Sequence, residues 1–161
     1  MKEKFVVDGM LGTLARKLRI FGYDTIYDPK MGDEEIFDIA IKEYRTVLTS
    51  DRAFYQNVSK KKVNCVLLTE ESDEERMCTV LKSKKSEVKR LSPDNTRCSI
   101  CNGEINQVVK SDVSKMVPEG VFENQEKFYR CVSCGKIYWI GGHWRHLYTF
   151  SEEINKRIQQ T

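Results

Sequence analysis

Apolar and polar positions along the first ninety residues switch between two periods. Phe5-Val6-Val7 is a short continuous apolar run, the pattern of a strand buried on both faces of a parallel sheet. The run stops at Asp8. Leu11, Leu14, Ala15, Leu18 and Phe21 then recur at helical spacing, and Gly22 is placed to end that helix. Thr25-Ile26-Tyr27 predicts a second short strand, and Asp28 to Gly32 a loop. A second helix begins at Asp33, with Ile36, Phe37, Ala40, Ile41 and Tyr44 as its expected apolar stripe. Thr46-Val47-Leu48, running into Thr49-Ser50-Asp51, predicts a third strand, and Val63 to Leu68 a fourth. Ser72 or Asp73 can cap a helix carrying Met77, Val80 and Leu81. Strands alternating with helices imply an α/β unit: a parallel sheet with helices on both faces.

The pattern then changes. Lys82, Lys84, Lys85, Lys89 and Arg90 form a basic run, and Ser92-Pro93-Asp94-Asn95 reads as a linker. The expected division is an α/β domain over 1–91, a smaller unit over 96–150, and a tail over 151–161 that is a short helix or frayed.

Composition adds little and excludes some classes. At 161 residues, with 32% charged side chains, the chain is globular rather than disordered. A net charge of +3 does not by itself name a partner. No apolar run approaches the roughly 18 residues a membrane span needs, and Met1 to Lys4 leads straight into a strand without an export signal, so a cytoplasmic location is expected.

Cysteine carries more. Four of the six cysteines form two Cys-x-x-Cys pairs, Cys98/Cys101 and Cys131/Cys134. Without an export signal, that spacing points to metal rather than disulfides. Each pair can supply two thiolates, and four thiolates complete the closed shell of a structural zinc ion. The 29 residues between the pairs imply a hairpin with an extended loop. Gly103 and Gly135, close behind their pairs, are expected to supply left-handed turns. Cys65 and Cys78 fall on apolar faces and read as core.

The acids complete the picture. Asp8 follows the first strand and Asp51 the third, and Asp33 opens the helix after the second, so all three belong to the carboxyl edge of the sheet, where open α/β folds bind ligands. Singly, each is an ordinary turn or cap. Gathered together they repel unless a divalent cation lies between them, and hard oxygen donors suit Mg²⁺ or Mn²⁺. A phosphotransferring hydrolase would need a second Asp where Met10 stands, and a phosphoacceptor receiver would need an acidic pair near Asp8 that is missing.

Val7-Asp8-Gly9-Met10-Leu11-Gly12, Leu14 to Arg19, Gly22-Tyr23-Asp24, Thr49-Ser50-Asp51-Arg52, Arg97 to Gly103 and Cys134 to Trp144 resemble the Mut-seven C-terminal RNase domain family over nearly the whole chain. The resemblance implies a PIN-like nuclease domain followed by a zinc ribbon, with the acidic site on Asp8, Asp33 and Asp51. PIN nucleases often carry a fourth acid after the fourth strand, where this chain offers Glu70, Glu71 and Asp73.

RNA is the expected partner. Arg16 and Arg19 leave the first helix near Asp8, and Arg52 directly follows Asp51; guanidinium groups beside an acidic metal cleft suit phosphate. Tyr138, Trp139, His143, Trp144, His146 and Tyr148 offer faces for unpaired bases, although Tyr138 and Trp139 more readily cover the knuckles of so small a unit. Four thiolates leave no vacancy for His143 or His146. The expected function is therefore a metal-dependent endoribonuclease, and the alternative an RNA- or ribonucleoprotein-binding module with a degenerate nuclease site.

Overall fold

The computed structural model describes residues 2–88 and 90–160. Lys89 of the expected basic run lies outside them. The first unit contains β1 (Lys4–Val7), α1 (Gly12–Ile20), β2 (Asp24–Ile26), α2 (Asp33–Glu43), β3 (Thr46–Thr49), α3 (Arg52–Lys60), β4 (Cys65–Leu67) and α4 (Asp73–Ser83). All strand pairs are parallel, in the order β2-β1-β3-β4. The α/β expectation is correct.

Alternation along β1 sorts the core into two layers. Phe5 and Val7 face α1 and α4 in a cluster with Leu14, Leu18, Met77 and Leu81. Val6 points the other way, with Ile36, Ala40, Val47, Phe54 and Val58 from α2, β3 and α3. Helix α3 has only a Phe54/Val58 pair as its apolar signature. It forms because Asp51 caps it, accepting from Phe54 N at 3.0 Å. The stripe of α2 is narrower than its spacing suggests. Ile41 is exposed and Tyr44, which ends the helix in a left-handed conformation, is 93% exposed. Arg45 is buried instead, held by Asp24 at 2.8 Å and by the Phe5 carbonyl at 3.2 Å.

The second unit is an antiparallel sheet, β5 (Ile105–Val108), β6 (Phe128–Cys131) and β7 (Ile137–Tyr138), with α5 (Glu119–Asn124) in the long connection. Helix α6 runs unbroken from Gly142 to Gln159, so the expected boundary at 150/151 falls inside it. Its second half returns to the first unit. Ile154 is wholly buried in the β1–α1–α4 core, and the Asn155 side chain pairs with both backbone groups of Val88 at 2.8 and 2.9 Å. No helix of the described residues is long and apolar enough to cross a membrane.

Candidate functional sites

Strand order reverses between β1 and β3, and that switch point is where an open parallel sheet leaves a crevice at its carboxyl edge. Asp8 follows β1 there and Asp51 follows β3. The backbone ties them: Asp8 N donates to Leu48 O at 2.9 Å. Thr49 ties them again, its hydroxyl donating to Asp8 Oδ2 at 2.7 Å and accepting from Asp51 N at 3.0 Å. Sequence reasoning passed over Thr49, because a threonine ending a strand gives no signal until its neighbours are placed. Asp33, in the first turn of α2, reaches the same neighbourhood. Partial burial, then the charges of Asp8 and Asp51, push its carboxyl above the ordinary value of 3.8.

Each strand-end carboxylate has one oxygen fixed by the protein, Asp8 Oδ2 by Thr49 and Asp51 Oδ1 by Phe54 N, and one with no hydrogen bond among the described residues. The three acids feel one another's charge, but among the described residues only the four paired cysteines bring three or more ligand atoms within 4.8 Å of one another. The acids beyond β4 are differently engaged. Burial pushes Asp73 up, but hydrogen bonds from Lys17, Thr13 and Arg76 and the charge of Lys17 outweigh it and hold the carboxyl below its usual range. The Glu70 side chain accepts from Thr79 on α4, with its second oxygen buried and unbonded among the described residues.

The three arginines divide. Arg16 and Arg52 are exposed. Arg19, expected to face RNA, is only 4% exposed. Its guanidinium donates to the carbonyls of Thr25 at 2.9 Å, Ser99 at 3.0 Å, Ile100 at 3.1 Å and Tyr27 at 3.4 Å. Two of these belong to the first cysteine knuckle and two to β2 and its exit. Burial lowers its pKa, with the neighbouring cysteines opposing. Arg19 thus fastens the two units together and has no face left for phosphate. Asn102 does the same, bonding Thr25 N at 3.0 Å and Asp24 at 2.8 Å. The link continues toward the acids, since the Tyr27 hydroxyl donates to Gly9 O at 3.0 Å, one residue beyond Asp8. A Cβ on Gly12 would stand 2.5 Å from that hydroxyl, so the turn after β1 requires glycine there.

The four paired cysteines converge. Their sulfurs all lie within 4.8 Å of one another, close enough to hold one metal ion. Cys98 and Cys134 are 3.6 Å apart, and Cys101 and Cys131 3.4 Å. Burial raises Cys131, but the backbone N–H groups of Cys134 and Ser133 overcome it and bring the thiol down to about 6. Burial pushes Cys101 up to about 12, its neighbouring sulfurs adding to the rise. A cation relieves that conflict, because four thiolates this close repel one another. The left-handed residue of the first knuckle is Asn102, not Gly103. Gly103 is needed for room, since a Cβ there would come within 2.8 Å of Cys131 Sγ. Gly135 adopts the expected left-handed turn, at φ 79°. Tyr138 covers the knuckle, its hydroxyl 3.0 Å from Cys98 Sγ. Trp139 packs edge-on against Phe128 in the ribbon's own core. His143 and His146 stand outside the thiol cluster.

No curated protein matches this chain. A family model described as the Mut7-C RNAse domain matches residues 3–151, spanning both the acidic edge and the four cysteines. The chain belongs to the Mut7-C RNase domain family.

Proposed function

We propose that this protein is a metal-dependent endoribonuclease whose active site is Asp8, Asp33 and Asp51. What supports this reading is that Asp8 and Asp51 leave the neighbouring strands β1 and β3 tied through Thr49, with Asp33 near enough that their charges add to burial in raising its pKa. Family membership supplies the ribonuclease class. The free oxygens of Asp8 and Asp51, with Asp33, would hold Mg²⁺ or Mn²⁺. When bound, such an ion activates water and offsets phosphate charge. The chain's own residues do the positioning. Thr49 sets the Asp8 carboxylate, and Phe54 N sets that of Asp51. Exposed Arg16 and Arg52 meet the phosphate backbone. Cys98, Cys101, Cys131 and Cys134 hold a structural zinc ion that fixes the ribbon over 96–150 against the domain over 1–91.

A second reading has its own observation. Asp73 is consumed by Lys17 and Arg76, and Glu70 turns toward Thr79, so neither stands as a ready fourth acid. An RNA-binding module with a degenerate site would look the same. Single-stranded and hairpin RNA, incubated with wild type and with Asp8→Asn, with added Mn²⁺ and without it, separates the two. The nuclease reading expects Mn²⁺-dependent cleavage by wild type alone. Binding without cleavage by wild type gives the protein to the second reading.

A further inference from the structure

A cleft of about 330 Å³ opens on the far side of the first cysteine knuckle, where the two units and the start of α6 meet. Tyr129, Tyr138, Trp139 and Trp144 contribute aromatic walls, and Ile20 of α1 also lines it. Its size and apolar lining at a domain junction are those of a small-ligand pocket. The basic side chains that line it and the adjoining hollow are Lys136 and Arg145, while the charge of Asp94, between the lining residues Pro93 and Thr96, reaches Tyr129. Lys136 stands at the wall with its ammonium over the Tyr138 ring, 5.1 Å from the centroid, and Arg145 lines the adjoining hollow. Neither hollow is lined by Asp or Glu among the described residues. The first turn of α6, whose Gly142 lines both hollows, also carries no acid. Aromatic faces with Lys136 and Arg145 in the lining and no carboxylate among the lining side chains suit an unpaired base on a phosphate backbone.

We propose that this cleft is an exosite for single-stranded RNA, taking one unpaired nucleobase against its aromatic walls while Lys136 and Arg145 face the adjoining phosphates. This rests on the ribonuclease reading. Helix α1 starts beside the acidic turn and ends at the cleft, and its nine residues span on the order of 14 Å. A dinucleotide therefore cannot occupy both places, whereas a longer single strand can. The exosite selects substrates by length and by unpaired character, and it does so through binding rather than through the acids.

The chain has two tryptophans and both line the cleft, so intrinsic fluorescence reports on it directly. The test uses the full chain with Asp8→Asn, so that bound RNA stays intact. The working substitution is Gly142→Asp. A Cβ at Gly142 meets nothing within 4 Å, and an acid in the first turn of a helix is stabilising, so the fold holds while a carboxylate enters the lining. Gly142→Ala is the control. Titration with a single-stranded oligonucleotide should quench tryptophan emission to saturation, and a dinucleotide should not. Gly142→Asp should weaken oligonucleotide binding roughly 5- to 150-fold, the range of one lost stacking contact, with an unchanged or higher Tm, and Gly142→Ala should bind normally. In the chain with Asp8 intact, Gly142→Asp should raise KM for the oligonucleotide and abolish the preference over a dinucleotide. If the protein cuts RNA, yet emission does not respond and Gly142→Asp binds as tightly as the control, the exosite is wrong and the nuclease stands. If no RNA is cut but quenching occurs and is lost in Gly142→Asp, the nuclease reading fails and the cleft remains an RNA site. Quenching by an apolar peptide or by self-association at rising protein concentration, and none by RNA, overturns the proposal in favour of a protein-docking face.

Discussion

Replacing Arg19 by Ala separates a structural guanidinium from an RNA-binding one. The side chain is 4% exposed and donates to four carbonyls, three of them at 2.9 to 3.1 Å. Bonds from a charged donor contribute about 1.5–3 kcal/mol each, and a buried acceptor left empty costs about 1–3 kcal/mol. The Tyr27 bond at 3.4 Å is long, and the desolvated charge itself is a cost that disappears with the side chain. A net loss of about 4 kcal/mol follows, a large fraction of the roughly 5–15 kcal/mol that holds a domain folded. At roughly 2–4 °C per kcal/mol for a chain of this size, the melting midpoint should fall by roughly 8–16 °C. Arg19→Lys should recover little, because one ammonium cannot bridge carbonyls on both the knuckle and β2. The assay is denaturation of the zinc-loaded protein, with RNA binding measured in parallel well below the new midpoint. A shift under about 2 °C, together with weakened RNA binding and a flatter salt dependence, would refute the reasoning and return Arg19 to the phosphate-facing role its sequence position suggests.

Metal analysis of protein purified without chelator should give one zinc per chain. Cys101→Ser should lose that zinc and also lower the melting midpoint of the parallel-sheet unit, since the Ser99 and Ile100 carbonyls that receive Arg19 belong to the same knuckle; a sheet unit that melts unchanged would show the units to be uncoupled. Thr49→Val keeps the shape and removes the hydroxyl that orients Asp8, so Mn²⁺ affinity measured calorimetrically should fall roughly 10-fold, and an unaltered affinity would remove Thr49 from the site. The Asp33 carboxyl has a raised pKa, so protons compete with the cation there; Mn²⁺ affinity should weaken as pH falls through that raised range, and Asp33→Asn should flatten the dependence. Asp73 has the opposite sign: its folded pKa is lowered, so its contribution to stability is present above its ordinary value of 3.8 and is lost as pH falls below it. Asp73→Asn should blunt that acid limb in a denaturation series.

The parallel sheet and the placement of Asp8 and Asp51 were legible in the sequence because they depend on local patterns. Uninterrupted apolar runs specify buried parallel strands, and the first polar residue after each run marks the carboxyl edge. The two Cys-x-x-Cys pairs were legible for a similar reason, since each knuckle is a local turn and only the pairing of the two is long-range. What tertiary structure alone decided is the fate of side chains at the edges of the helical stripes. Arg19 and Arg16 sit on the same short helix with the same chemistry. Arg19 is buried because carbonyls of β2 and its exit, at Thr25 and Tyr27, and carbonyls some eighty residues away, at Ser99 and Ile100, close over it. Tyr44 continues the apolar spacing of α2 yet is exposed, because the helix ends there in a left-handed turn and Arg45 takes the buried position. The second half of α6 looked like a tail because its apolar residues, Ile154 and Ile158, are sparse. Ile154 is buried and Ile158 partly so because α1 and α4 leave a groove that a helix on its own cannot foresee. Local periodicity fixes where a side chain can point, but burial is a property of what arrives opposite it, and that is set by contacts between parts of the chain far apart in sequence.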